Sequence, residues 1–195
     1  MLELIWFILG FISAILWDKY KEWNSFKDNL RWMYNELLNI EATLNDKYEK
    51  LPIQIQEKVR IAQEGGNSTL TSSEILQTFS FEFTMPYPSS AWQNFLANGY
   101  SKKLSGNQYE MIKDAYETIE GTNFIRQLSS IMLASTSSPL ISNDTKVAIY
   151  QGVQTNHLQP ILFALPKIRR AIPEVKEMID ESLLSSILRY RKQTS

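Results

Sequence analysis

The chain lacks cysteine and has a single histidine, His157, among its 195 residues. Without thiols it cannot form disulfides, thiolate nucleophiles or Cys-based zinc and iron–sulfur sites, and one imidazole excludes a multi-histidine metal site. The 7 glycines form neither G-x-G-x-x-G nor Gly-Lys-Ser/Thr, so both common phosphate-binding loops are missing. These absences predict a protein that is not an enzyme, with no catalytic residues, cofactor or metal.

An excess of either charge is also lacking, since 20 Lys and Arg face 21 Asp and Glu, for a net charge of −1. Binding to a phosphate backbone depends on clustered cations, so this balance disfavours a nucleic-acid partner. One alternative rests on His157, because helical antiviral ribonucleases place an Arg four to six residues before such a His. Here Gln151 stands in the Arg position. A degenerate RNA-binding or ribonuclease-like domain therefore stays open as an alternative, beside a role for His157 in the core.

Charge is absent from Leu4 to Trp17, a run of 14 residues that reads LIWFILGFISAILW. A helix needs roughly 20 apolar residues, and at least about 17, to cross a hydrocarbon core of ~30 Å. The sequence predicts a marginal single-pass transmembrane anchor, and the alternatives are a buried core helix or an interfacial helix. Basic residues follow the run and none precedes it, which predicts a cell-membrane protein with its C-terminal domain in the cytoplasm. The predicted anchor residues are Trp6, Gly10, Ala14, Trp17, Lys19 and Lys21.

Within this run, Gly10 and Ala14 form a small-xxx-small pair. Such pairs let helix backbones approach closely in lipid. They suggest a second alternative function, an oligomeric membrane effector or pore, for instance in antiviral defence.

Proline is absent before Pro52, and Gly10 is the only glycine before Gly65, so one helix from about residue 2 to 50 is expected. Apolar residues within it repeat with 3-4 spacing, the pattern of a coiled-coil seam. The seam predicts self-association or a protein partner, although the aromatic residues at two seam positions are poor knobs for a dimer. A helix packed on its own domain is the alternative. The seam residues are Trp23, Phe26, Leu30, Met33, Leu37, Ile40 and Leu44.

The remaining sequence predicts helices and no convincing sheet, so the fold class is all-α. A short helix is expected at 53–63, a polar loop at 67–73, and an extended stretch where apolar residues alternate at 79, 81, 83 and 85. Further helices are expected to be capped by Ser89 or Ser90 and by Asn143, another is expected to open at Ser105, and Pro173 is expected in the first turn of a final helix. The predicted organisation is an anchor at 1–17, a heptad-patterned helix at 18–51, a connecting region at 52–88 and a helical bundle at 89–195.

Residues 86–123 resemble a pattern found in an uncharacterised family of prokaryotic single-pass membrane-anchored helical proteins. In those proteins an anchor and a long helix precede a Pro-rich turn, Ala-Trp, a Leu-Gly pair and an amphipathic helix. The resemblance implies a membrane-anchored helical protein and no known reaction. Core packing explains Trp92 and Tyr116, and a helix C-cap explains Gly99. The matching residues are Ala91, Trp92, Leu96, Gly99, Leu104, Tyr116 and Asn123.

Overall fold

The computed structural model describes residues 2–65 and 86–182, without the side chains of residues 2–5 and 154–157. Within these ranges the chain forms helices and no strand, as predicted. The predicted polar loop at 67–73 and extended stretch at 79–85 lie outside the described residues. The elements are α1 (Leu2–Glu49), α2 (Ile53–Gln63), α3 (Ser90–Ala97), a 3-10 turn (Tyr100–Lys103), α4 (Gly106–Ser135), α5 (Asn143–Gln159), a π-helical turn (Pro160–Ala164) and α6 (Leu165–Asp180).

Helix α1 confirms the prediction of one long N-terminal helix. Its 48 residues extend over about 72 Å at 1.5 Å per residue. The helix ends just before Pro52, whose carbonyl accepts the first hydrogen bonds of α2. In the part of the chain that the structure describes, no helix is both long and apolar enough to cross a membrane. The predicted transmembrane anchor at residues 1–17 is therefore not supported as a spanning helix.

The core of the bundle lies along α1 from Phe26 to Leu44. Helix α6 runs antiparallel to α1, because Arg169 near its start reaches Glu41 and its last residues lie at Lys27. Helix α3 also runs antiparallel to α1, because Ser90 at its start contacts Glu36 and Tyr100 just after its end contacts Ser25. Helix α4 packs on α3, where the rings of Tyr116 and Trp92 stack, and also on α6. These helices cover one side of α1 only from about residue 23 onward.

Two of the predicted helix N-termini are confirmed, and in a third the capping residue is one position earlier than predicted. Ser105 forms a capping box with Gln108, in which each side chain accepts a hydrogen bond from the backbone N–H of the other residue. Helix α3 starts at Ser90, as expected. Helix α5 is capped by Ser142, whose hydroxyl accepts from the Thr145 N–H, and not by Asn143 as predicted.

The prediction for Pro173 was wrong in its position. Pro173 lies inside α6, which begins eight residues earlier at Leu165. A proline inside a helix removes one hydrogen bond and disfavours the preceding turn. The helix continues because one face, which includes Ile168, Ala171 and Val175, is fully buried against the bundle. The free energy gained by burying this apolar face outweighs the local preference of proline for the first turn of a helix.

Candidate functional site

The N-terminal end of α1 exposes an apolar surface that the rest of the chain leaves uncovered. Trp6 and Phe7 are 71% and 73% exposed. Leucine, isoleucine and phenylalanine side chains follow on every side of the helix, and all are exposed as far as Trp17. A soluble monomer rarely exposes a contiguous apolar surface of this extent. The exposed large apolar residues here are Trp6, Phe7, Ile8, Leu9, Phe11, Ile12, Ile15, Leu16, Trp17 and Tyr20.

The predicted anchor residues all lie on this exposed end of α1. Apart from the neighbouring residues and the backbone of α1 itself, no atom lies within 4 Å of the position that a Cβ at Gly10 would take, and Ala14 is exposed as well. At the border with the bundle, the rings of Trp17 and Tyr20 stack with centroids 5.8 Å apart. The ammonium group of Lys21 lies 5.5 Å from the centroid of the Trp17 ring. Aromatic rings and lysines thus form a band where the uncharged run ends.

Two lysines meet at Glu22, next to this band. The Lys103 Nζ lies 2.7 Å from one carboxylate oxygen of Glu22, and the Lys19 Nζ lies 3.3 Å from the other. The hydrogen bond and positive charge of Lys103 hold the pKa of Glu22 below its ordinary value, with a smaller contribution from Lys19. The pair with Lys103 ties the border of the exposed segment to the 3-10 turn after α3.

The structure places the predicted self-association seam inside the chain's own core. Leu30, Met33 and Leu37 are 0% exposed. The other seam residues are buried too, apart from Trp23, which is partly buried against the same core. Helices α3, α4 and α6 of the same chain cover the seam, which corresponds to the intramolecular alternative. The burial of these residues is therefore no evidence for a second chain, and self-association stays a prediction.

Lys27 has a structural role that the heptad pattern does not predict. Its side chain is 5% exposed, and its Nζ donates hydrogen bonds to three backbone carbonyls at the end of α6. Two of them, Ile179 O and Glu181 O, lie at 2.7 and 2.6 Å, and the third belongs to Met178. The ammonium group also lies 4.7 Å from the Trp23 ring. A cation at a helix C-terminus is stabilised by the helix dipole and satisfies carbonyls that have no partner in the helix.

Glu36 is a buried acidic residue of α1 that caps the start of α3, as Lys27 caps the end of α6. Its carboxylate accepts a hydrogen bond from the Ala91 N–H at 3.3 Å and one from the Ser90 hydroxyl at 3.2 Å. The Ser89 side chain, at the N-cap position itself, makes no capping bond. Burial raises the pKa of the nearby Tyr116 phenol, and the negative charge of Glu36 raises it further. Lys27 and Glu36 are thus structural groups that fix helix ends against α1.

The residues that carried the family resemblance are mostly part of the core. The rings of Trp92 and Tyr116 stack at 5.6 Å, and both are buried, as expected for core packing. Gly99 follows the end of α3 with a φ of +70°, which favours glycine and confirms its predicted role as a C-cap. Asn123 lies outside this core. Its side-chain amide exchanges two hydrogen bonds with the backbone N–H and carbonyl of Tyr87.

Reactive groups are sparse in the part of the chain that the structure describes. No group of three or more His, Asp or Glu side chains there could hold a metal ion. A groove of about 410 Å³ between α4 and α6 is lined by charged residues, including Glu110, Asp114 and Lys167. Lys167 donates to Asp114 at 2.7 Å and to Thr118 at 2.9 Å, so the groove's charges are largely paired. The side chain of His157 lies outside the described residues, and the ribonuclease-like alternative stays a prediction.

Comparison with known proteins gives no further guide to this site. No protein-family model, curated protein or solved structure matches the chain. The resemblance of residues 86–123 to membrane-anchored helical proteins therefore stays a prediction, as does the pore hypothesis based on Gly10 and Ala14.

Proposed function

We propose that the N-terminal end of α1 inserts into a lipid bilayer and tethers the helical bundle to the cytoplasmic face of the cell membrane, where the bundle acts as an interaction module. The observation that carries this proposal is the exposure of every large apolar side chain from Trp6 to Trp17. Moving one such side chain from water into an apolar environment is favourable by about 1.5–3 kcal/mol at full burial. Nine of them provide a large driving force for leaving water.

Lipid fits this segment better than a protein groove does. A helix that docks on a protein, or lies flat on a membrane, has one apolar face and one polar face. Residues 6–17 are apolar on all sides, so a one-sided partner would leave the opposite apolar face in water. Hydrocarbon surrounds an inserted helix completely. The Trp17, Tyr20 and Lys21 band lies where the segment would leave the hydrocarbon, the position that aromatic and lysine side chains favour.

The length of the uncharged run favours insertion from one side. Its 14 residues correspond to about 21 Å of helix, compared with a hydrocarbon core of about 30 Å. An inserted segment of this length passes the middle of the bilayer without crossing it, so Glu3 lies in the far half of the hydrocarbon, at a cost that opposes the gain from the apolar side chains. Since α1 is continuous, the same rigid helix carries the bundle in water on the side of insertion. Lys19 and Lys21 face the anionic headgroups of the cytoplasmic leaflet in this arrangement.

The proposed role as an interaction module rests on tethering at the membrane and on a bundle whose charged groups on α1 serve its own packing. Its buried charged groups on α1, Lys27 and Glu36, are used to fix helix ends, and its core has the composition of an ordinary packed bundle. A protein partner or a second copy of this chain would be brought together with it at the membrane surface, where tethering raises the effective concentration of both.

The test is co-flotation of the full chain with vesicles of phosphatidylcholine containing phosphatidylserine, for the wild type and a Leu9→Arg variant. Arginine in the middle of the segment costs about 2.5–3.5 kcal/mol of insertion free energy, so we expect about a hundredfold loss of vesicle binding. Trp32→Arg is the matched control, because Trp32 is an exposed apolar residue of the same helix that lies within the bundle region. It should bind vesicles like the wild type.

Retention of Leu9→Arg in the membrane after an alkaline wash would contradict the proposal. The depth of insertion is measured separately, because the chain has no cysteine and a single one can be introduced with Leu2→Cys. Under one-sided insertion a membrane-impermeant maleimide should label this cysteine from neither side of a sealed vesicle. Labelling from the far side only would show that the helix spans the bilayer.

A further inference from the structure

The 3-10 turn that follows α3 lies beside the border between the exposed end of α1 and the bundle. The Tyr100 hydroxyl donates to the Ser25 hydroxyl at 2.7 Å, and the rings of Tyr100 and Phe26 meet edge to face with centroids 5.6 Å apart. Lys103, the last residue of the turn, pairs with Glu22. These three contacts fix the turn against this part of α1.

The distance along α1 places the 3-10 turn at the headgroups when the exposed end of the helix is inserted upright. Glu22 lies five residues after Trp17, which corresponds to about 7.5 Å of helix. A bilayer is about 40–45 Å thick with its headgroups and about 30 Å thick without them, so each headgroup layer measures about 5–7.5 Å. With Trp17 at the edge of the hydrocarbon, the pair of Glu22 and Lys103 therefore lies at the outer boundary of this layer.

Positive charge is in excess at this level of the molecule. On residues 18–22 of α1 and on the 3-10 turn, four lysines face two acids, which leaves two positive charges in a chain whose net charge is −1. The four lysines, called the lysine cluster below, are Lys19, Lys21, Lys102 and Lys103, and the two acids are Asp18 and Glu22.

Lys102 is the member of the lysine cluster that the bundle supplies without using it in its own packing. Its side chain is exposed, and no acidic side chain pairs with it among residues 2–65 and 86–182. Lys103, in contrast, is bound to Glu22 and lies 5.4 Å from the Phe26 ring. Lys102 thus presents an ammonium group to the surroundings from a turn that is fixed at headgroup depth.

We infer that Lys102, together with Lys19 and Lys21, binds the headgroups of anionic phospholipids, so that the bundle lies on the membrane with the 3-10 turn facing the lipid. This inference rests on the proposed insertion of α1, which sets the depth of the turn. Anionic headgroups are the occupant because the turn adjoins the inserted segment, lies at their depth and carries the opposite charge. An anionic leaflet attracts nearby lysines through a surface potential that fades within one Debye length.

Helix α4 leads away from the 3-10 turn toward the other end of α1. It begins at Gly106, just after the turn. Further along it, Asn123 is bonded to the backbone of Tyr87, whose ring lies 5.8 Å from the ammonium group of Lys47. Lys47 lies about 45 Å along α1 from Trp17. The second half of α4 is therefore far from the membrane in this arrangement.

Lys146 is a matched control at this far end of the bundle. The Thr136 hydroxyl, just after the last residue of α4, lies 3.3 Å from the Tyr150 hydroxyl of α5. Lys146 precedes Tyr150 by about one helical turn. The Debye length is about 8 Å at physiological salt, so the surface potential of a membrane at the 3-10 turn does not reach Lys146.

The test compares co-flotation of the full chain with vesicles of phosphatidylcholine alone and with vesicles that also contain phosphatidylserine. Lys102→Glu should weaken binding to the phosphatidylserine vesicles about tenfold and change binding to phosphatidylcholine by less than about twofold. Lys146→Glu makes the same change in charge and should bind both vesicles like the wild type. In about 1 M salt the Debye length falls to about 3 Å, so the difference between Lys102→Glu and the wild type should disappear.

The outcomes separate this inference from the proposed function. Wild-type binding of Lys102→Glu to the phosphatidylserine vesicles would overturn the inference and leave the insertion of α1 standing. Equal weakening by Lys102→Glu and Lys146→Glu would also overturn it, because binding would then follow the net charge of the chain and not the position of the turn. If Leu9→Arg binds like the wild type, the proposed insertion is wrong and this inference falls with it.

A second measurement reports the orientation of the bundle. Because the natural sequence has no cysteine, Lys102→Cys and Lys146→Cys can each carry a single bimane fluorophore. A nitroxide attached to the phospholipid headgroup should quench the fluorophore at position 102 several-fold more strongly than the one at position 146. Equal quenching at the two positions would overturn the inference.

Discussion

Helix α1 contains two apolar regions whose surroundings differ completely. Residues 6–17 are apolar on every side and exposed, and residues 26–44 are apolar along one stripe and buried. No helix end, proline or glycine separates the two, because α1 is continuous from Leu2 to Glu49. The difference lies only in how the apolar residues are arranged around the helix.

This difference shows what each pattern can bind. A stripe with 3.5-residue spacing leaves the other side polar, so a few helices of the same chain can cover it completely. An all-round apolar surface needs an environment that encloses the helix, which the bundle does not supply. The two regions therefore need different surroundings. Residues 26–44 pack in the chain's own core, and residues 6–17 are surrounded by lipid under the proposed function.

The largest expected effect comes from placing charges in the buried region. In the full chain, Leu30→Asp with Leu37→Asp buries two carboxylates without partners, at a cost of about 3–5 kcal/mol each. Because a whole domain is stable by only about 5–15 kcal/mol, the cooperative thermal transition in circular dichroism should be lost. Burial of Leu30 and Leu37 at 0% exposure is the reason for this expectation.

The control makes the same change in the exposed region. Leu9→Asp with Leu16→Asp has the same seven-residue spacing in the same helix, and both leucines are exposed. Its thermal transition should match that of the wild type. If the Leu30/Leu37 variant instead keeps its melting transition and its molecular mass falls in light scattering, the seam lies between chains, and the assignment to the chain's own core is wrong.

An intermediate effect is expected at Lys27, which joins the buried region of α1 to the end of α6. Lys27→Met keeps much of the side chain's length and removes the hydrogen bonds to Ile179 O and Glu181 O. We expect the free energy of unfolding to fall by about 2–3 kcal/mol. Urea unfolding measures this change as a lower midpoint with the same m-value.

Lys21→Met is the matched control for this prediction. Lys21 lies on the same helix, is exposed and contacts the ring of Trp17. Its loss should change the free energy of unfolding by less than about 0.5 kcal/mol. Equal changes for the two variants would show that Lys27 does not stabilise the end of α6.

Much of the fold could be predicted from the sequence because its signals are local. The bounds of α1 and α2 follow from the positions of Pro52 and Gly65, and the start of α4 follows from the capping box at Ser105. Local signals gave a wrong helix N-terminus where two neighbouring residues could both act as the N-cap. They also failed where tertiary packing outweighs the local preference of a proline. Ser142 and Asn143 are both good N-caps, and Pro173 sits inside α6 because the buried face of that helix outweighs the cost.

The surroundings of the site could not be predicted in the same way. A heptad pattern shows that a stripe is buried, but it does not show whether the covering helices belong to the same chain. Lys27 reads as one of several basic residues after the apolar run, and its acceptors lie more than 150 residues away in sequence. Glu36 likewise reads as a surface acid between seam positions, and its partners lie more than 50 residues further along the chain.

The smallest expected effect lies at the border of the two regions, where Lys103 pairs with Glu22 at 2.7 Å. Because Lys103 lowers the pKa of Glu22, the pair stabilises the fold above the carboxyl's ordinary pKa, and this contribution is lost as the pH falls through the lowered value. Lys103 also lies 5.4 Å from the Phe26 ring, a contact that does not titrate in this range. A double-mutant cycle with Glu22→Gln and Lys103→Met separates the energy of the ion pair from that of the contact between Lys103 and the Phe26 ring. We expect a coupling below about 1 kcal/mol at pH 7, since the pair is partly exposed, and none near pH 2. A coupling that persists in acid would mean that the carboxylate's charge is not what joins the exposed segment to the bundle.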